Sequence, residues 1–187
     1  MEEPRYLPHG SWPSPISASS LVEGTSTIIE MMVDEDDIWW SESRPDESGR
    51  IAIMRAIPNA APQEITPKEI NVRSKVHEYG GGAWWVDKQS LYCVNFGDQR
   101  LRRIYPDGRV KILTSEPPES QIWRFADGRV TPNGEWCICI REIHHHFDDG
   151  IVVEPDNQIV AVATDGSCEI RELVVGADFY AFPRLSP

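Results

Sequence analysis

The chain has 187 residues, 40% of them apolar, and its 18 basic against 30 acidic side chains leave a formal charge of −12. A surface that acidic repels phosphate backbones and anionic lipid, which disfavours nucleic acid and membranes as partners. No apolar run approaches the ~18 residues of a membrane span. The start Met1-Glu2-Glu3-Pro4-Arg5 also lacks the apolar core of a secretory signal, so a cytoplasmic protein is expected.

Residues 1–26 read as an N-terminal extension. Its one helical candidate is Ser17-Ala18-Ser19-Ser20-Leu21-Val22-Glu23-Gly24, with serine caps in front and glycine behind. From residue 27 onward the helical period vanishes. Apolar or alternating runs of four to eight residues follow, broken by Gly, Pro, Asp and Asn. The first group is Ile28–Val33, Asp37–Glu42, Arg50–Ile57 and Glu64-Ile65-Thr66. The second is Gly82–Val86, Ser90–Asn95, Arg100–Tyr105 and Arg109–Thr114. The third is Ile122–Phe125, Glu135–Arg141, Gln158–Ala163 and Cys168–Leu173.

Each group holds four runs, and the second run is rich in aromatic or apolar residues: Ile38-Trp39-Trp40, Leu91-Tyr92-Cys93 and Trp136-Cys137-Ile138. These lie 53 and then 45 residues apart. Four strands per ~40–50 residues is the period of a propeller blade. Asp107-Gly108 and Asp165-Gly166 both fall between the third and fourth runs, where tight hairpins are expected from positive φ at both central residues. A β-sandwich also uses many short strands, but its connections do not repeat as four-strand units.

The expected fold is therefore all-β, a partial β-propeller of about three four-stranded blades over 27–66, 82–114 and 122–173. Residues 177–187 are expected to open a fourth blade with the strand Ala177–Phe182. Propellers close with four to eight blades, and three leave unpaired edges and apolar faces. The chain reads as a piece of something longer.

Cys137 and Cys139 share a strand face at roughly 7 Å, the upper limit for a disulfide, and their spacing departs from zinc knuckles. Buried, reduced thiols are expected for all four cysteines. His144-His145-His146 with Asp148 and Asp149 raises a metal site. Adjacent histidines in an extended chain point to opposite faces, however, so a solvated loop is the simpler reading and no metal or cofactor is expected. Trp39-Trp40 and Trp84-Trp85 suggest a stacking platform. In a strand one of each pair faces each way, so core packing between sheets is preferred. Glu42 and Arg44 suit an ion pair across a turn.

Several segments are similar to one family in order along the chain. Gly10-Ser11-Trp12-Pro13-Ser14-Pro15-Ile16-Ser17 resembles the opening of bacterial serine peptidases of the prolyl oligopeptidase family, in the dipeptidyl-peptidase and acylaminoacyl-peptidase-like branch. Asp37-Ile38-Trp39-Trp40-Ser41-Glu42-Ser43-Arg44-Pro45 with Gly49-Arg50 looks like its first blade, and Asn71–Ala83 resembles its most recognisable propeller segment. Asn95–Leu101, Phe125-Ala126-Asp127-Gly128-Arg129 and Gly176–Tyr180 continue the resemblance. It implies a propeller that gates access of short peptides to an α/β-hydrolase domain and contributes substrate contacts. The nucleophile of that domain lies in Gly-x-Ser-x-Gly. No such motif occurs here, so no catalytic residue is expected in this chain and no hydrolysis by it alone. The expected partners are a short peptide and the C-terminal hydrolase domain. A stand-alone binding or scaffold propeller and a truncated gene product are the alternatives.

Within Arg73–Gly82, three consecutive glycines permit close backbone approach, while Arg73, Lys75 and Glu78 surround His77 and Tyr79. On the functional reading Arg73, His77, Glu78 and Tyr79 contact substrate, with Glu78 able to pair with a peptide amino terminus. On the other reading the segment is a structural turn between blades with a buried hydrogen-bond network.

Overall fold

The computed structural model describes residues 6–17, 20, 21, 23–146 and 153–186. Among these residues twelve strands form three four-stranded antiparallel sheets, each a meander in chain order. The first sheet holds β1 (Thr27–Asp34), β2 (Asp37–Arg44), β3 (Arg50–Ala56) and β4 (Gln63–Glu64). The second holds β5 (Trp84–Asp87), β6 (Ser90–Val94), β7 (Leu101–Ile104) and β8 (Val110–Ile112). The third holds β9 (Gln121–Val130), β10 (Trp136–His145), β11 (Asp156–Ala163) and β12 (Ile170–Val175). The expected runs of the three groups fall on these strands, although β4 shares only Glu64 with the run expected over Glu64-Ile65-Thr66, and β9 and β10 extend further, to Val130 and His145.

The sheets follow one another face to face, and the first strands of neighbouring sheets, β1 with β5 and β5 with β9, lie in contact. One core fills the space between the first two sheets: Trp39 and Ile53 meet Trp84, Leu91, Cys93 and Ile104. A second fills the next space: Trp85, Tyr92, Val94 and Leu101 meet Phe125, Cys137, Cys139, Val160 and Val162. Alternation along β5 and β6 produces this division, because successive side chains leave opposite faces of a strand. The middle sheet is thus buried on both sides, which explains why Ser90–Val94 reads as a continuous apolar run rather than an alternating one.

The cysteines are all free. Cys93, Cys137 and Cys139 are buried, whereas Cys168 is partly exposed because it follows the tight turn at Gly166. The turns themselves differ from the expected two-residue hairpins. In Tyr105-Pro106-Asp107-Gly108 the Gly108 amide donates to Tyr105 O at 2.9 Å, and only the glycine takes positive φ. Pro106 presets the first turn position and Gly108 supplies the left-handed one, giving a longer, proline-initiated loop. Glu42 and Arg44 do pair, at 3.3 Å, but along one face of β2 rather than across a turn.

Residues 177–186 form no strand. The strand expected over Ala177–Phe182 is thus not formed within this chain: a strand needs a hydrogen-bonded neighbour, and the segment packs instead against β9 and β10 of the third sheet. There Tyr180 packs on Val76, Ala126 and Ile140. The helix expected over 17–24 falls partly outside the described residues; Ser20 N donates to Ser17 Oγ at 3.0 Å. No helix among the described residues is long and apolar enough to cross a membrane.

Candidate functional site

The segment between the first two sheets fastens all three sheets together. Val72 N donates to Ile51 O in the first sheet at 2.9 Å, and Arg73 N to Val94 O in the second at 3.1 Å. Ser74 Oγ donates to Phe125 O in the third sheet at 2.7 Å. The chain then reverses sharply, with His77, Glu78 and Gly80 all in the left-handed region. For His77 and Glu78 that conformation is costly and must be held by surrounding contacts.

The principal holding group is Glu142 of β10, whose side chain is only 1% exposed. Its Oε1 accepts from the His77 backbone N at 2.8 Å. His77 Nδ1 sits 2.9 Å from the same oxygen without hydrogen-bond alignment, and His144 Nε2 lies 3.2 Å from Oε2. Arg124 stands opposite Glu142 in the β9–β10 register. Its Nη1 donates to Lys75 O at 2.9 Å and to Glu78 Oε1 at 2.6 Å. That hydrogen bond holds the Glu78 carboxyl below the usual carboxylate range.

Asp127 completes the fastening. It bulges from β9 at φ 59°, its Oδ1 accepts from Gly82 N at 2.7 Å, and its Oδ2 accepts from Phe182 N at 3.2 Å. The neighbouring Gly128 is fixed by space, since a Cβ there would stand 2.0 Å from Cζ2 of Trp85. The Phe125–Arg129 motif is therefore a joint between the second and third sheets.

His77, Glu78 and Tyr79 come together around a cleft of about 380 Å³, with Glu142, His144, Val153, Pro155 and Phe179 among its lining residues. The imidazole of His77 lies between two rings, 5.9 Å from Tyr79 and 5.5 Å from Phe179. Arg73 parts from His77 and Glu78: it stacks on Phe96 at 5.0 Å and lines a second cleft of about 220 Å³ with Tyr79, Glu30 and Trp84. There burial raises the Glu30 carboxyl despite the nearby Arg129.

The residues that sequence reading did not single out are Glu142, Arg124 and Phe179. Arg141-Glu142, a charged pair interrupting the apolar run from Cys137 to Ile143, was the available signal. His144 and His145 diverge as alternation requires, one toward Glu142 and the other 2.8 Å from Asp156. Asp148 and Asp149 lie outside the described residues.

No family model and no curated protein matches the chain, but solved structures do. A puromycin-hydrolyzing peptidase of Mycobacterium tuberculosis is 35% identical over 97% of this chain, with a TM-score of 0.80. A puromycin hydrolase is 28% identical over 90% of it, with a TM-score of 0.75, as is a mutant of that hydrolase complexed with PGG. The chain spans only 29% and 27% of the length of those proteins. Three successive four-stranded sheets, the ordered motifs and these likenesses agree, and the chain belongs to the prolyl oligopeptidase family, as part of its β-propeller.

Proposed function

We propose that this chain is the access-controlling part of a serine peptidase's propeller, admitting short peptides to a hydrolase domain and contacting their amino-terminal ends through the His77–Glu78–Tyr79 cleft. The observation that carries the reading is Glu78. Its carboxylate is largely exposed on the rim of a partly apolar cleft, and Arg124 keeps it ionised. Ionised and reachable, it suits a charge-assisted bond to an ammonium. The relatives add support, being named for hydrolysing puromycin, and one of them was crystallised with PGG. Arg73, turned toward Phe96, has no part in this contact.

The test is made on the complete enzyme encoded by the gene, which is expected to continue past Pro187 into further sheets and a Gly-x-Ser-x-Gly turn. Glu78→Gln should raise KM for peptides with a free amino terminus by about tenfold, the order of one charge-assisted bond, while kcat and the KM for N-acetylated peptides stay put. An unchanged KM for the free-amine peptides, or a gene that ends in unrelated sequence, would sink the reading.

A further inference from the structure

The segment that carries Glu78 begins with two cations that no carboxylate holds. Arg73 and Lys75 both lie over the ring of Phe96, the guanidinium 5.0 Å and the ammonium 4.6 Å from its centre. Among the described residues neither side chain has a hydrogen bond or an ion pair. Asp98, on the same loop as Phe96, is taken by Arg102 at 2.5 Å, and Glu30 of the neighbouring cleft answers to Arg129. Two uncompensated cations on one ring are an exception in a chain of net charge −12. One buried carboxamide fixes the backbone of all three residues. Gln99, 4% exposed, accepts from Lys75 N at 2.8 Å through Oε1. Its Nε2 donates to Phe96 O at 3.0 Å and to Arg73 O at 3.4 Å. A ring face attracts a cation without using its N–H groups, so both side chains are oriented with their donors free. A planar guanidinium in that state matches a carboxylate with two parallel bonds, and the ammonium beside it adds a second charge. The Glu78 carboxyl is lowered first by Arg124 and also by Lys75, so both signs of charge stand on one short segment.

Resting on the reading above that short peptides are contacted here, we propose that Arg73 and Lys75 bind a carboxylate of the same peptide whose ammonium meets Glu78. That carboxylate is the peptide's free carboxy terminus or an acidic side chain near it. The segment thereby selects short peptides that carry both charges. A peptide amide brings only a neutral group to the guanidinium, and a long chain carries its terminal carboxylate away from the pair. Gln99 is a positioning residue, since it holds the backbone of the cations and of the ring beneath them.

Steady-state kinetics of the complete enzyme on three peptides with free amino termini test this. They are phenylalanyl-glycyl-glycine, its carboxamide, and the carboxamide of phenylalanyl-glycyl-glutamate. The free acid should have a KM at least about tenfold below that of its carboxamide, the order of one charge-assisted bond. A glutamyl amide that shares the low KM assigns the contact to acidic side chains too, and one that matches the plain carboxamide assigns it to the terminus. Arg73→Gln and Lys75→Gln should each shrink the acid-to-amide ratio severalfold. Without any variant, raising salt from about 0.05 to about 0.5 M should shrink it in the parent, because an exposed ion contact is screened. Glu78→Gln should keep the ratio, since all three peptides share the free amine. Equal KM for the three peptides, or a ratio untouched in both cation variants, overturns the carboxylate site and leaves the amino-terminus reading standing. A ratio that persists while Glu78→Gln fails to raise the KM of the free amines overturns the amino-terminus reading and leaves the carboxylate site standing.

Discussion

Two tryptophan pairs occupy equivalent-looking places in two sheets, and their fates differ. Trp84 and Trp85 of the middle sheet are each only 2% exposed, one in each inter-sheet core. Trp39 is equally buried against the middle sheet, but Trp40, on the other face of β2, is partly exposed, opposite Met31 and Met54. Val33 and Ile38 extend that open face and are exposed as well. The local sequence is the same in kind; what differs is whether a second sheet covers the face. In this architecture a large side chain gains its burial from the neighbouring sheet, and a sheet with one covered face is only half stabilised.

The sharpest way to break this comparison is to truncate one member of each pair. Trp85 lies against Tyr92 with near-parallel rings and against the backbone of Gly128, so Trp85→Ala opens a cavity between two sheets. A cost of about 3–5 kcal/mol is expected. Trp40→Ala should cost less, about 1–2 kcal/mol, since part of its surface already meets water and no second sheet covers it. Urea unfolding of the two variants measures both. Comparable losses would mean that the open face of the first sheet is covered in solution, and the contrast between the sheets would fall.

The second comparison sets Glu142 against Glu78, two carboxylates bound by one arginine. Glu142→Ala leaves the His77 amide without its acceptor and removes the carboxylate facing Arg124, at an expected cost of about 1–3 kcal/mol. It should also speed hydrogen exchange at the Gly80 amide, which is bonded to Val76 O at 2.8 Å within the same turn. Glu78→Ala, at the exposed end of the same guanidinium, should stay within about 0.5 kcal/mol of the parent. Matching losses in the two variants would show that the rim is as structural as the floor.

These contrasts also mark what could be read before the structure. Most of the strands are legible, because Ser90–Val94 and its counterparts carry strong apolar runs and recur at a near-constant spacing; the two-residue β4 is not, since it shares only Glu64 with the expected run. The opposite facing of Trp84 and Trp85 followed from strand alternation alone. The grouping of His77, Glu78 and Tyr79 on one cleft is legible as well, since they lie in one segment. Arg73 is parted from His77 and Glu78 because the chain turns sharply at those left-handed residues, and nothing about His77 or Glu78 as residue types announces positive φ. Glu142 was missed because its partner is 65 residues away in sequence. A buried carboxylate is recognised by what it bonds to, and that is settled only when the sheets pack. Phe179 lies within a matched motif, but in a segment read as a strand, Ala177–Phe182, which forms none within this chain.

The smallest effect should come from a third pair of regions, the ion cluster on the first sheet against the aromatic cleft. Arg50 donates to Glu47 and to Glu64, each at 2.5 Å, and Lys68 reaches Glu47 at 3.0 Å. The Arg50 hydrogen bond, with that from Lys68, lowers the Glu47 carboxyl to about 2. At Glu64 burial works the other way, but the bonds from Arg50 and Lys68 prevail and its carboxyl is lowered too. A carboxyl lowered by folding stabilises the native state above its unfolded value, and that contribution is lost as pH falls from near 4.5 toward 2. The parent chain should therefore lose urea resistance over this window. Glu47→Gln should lose less over the same window, because it lacks the carboxyl's contribution already at pH 7 and starts somewhat less stable there, by an amount kept modest by salt screening. An identical acid slope in parent and variant would place the acid sensitivity elsewhere, and Glu78, lowered by Arg124 at the cleft, would be the next carboxyl to replace.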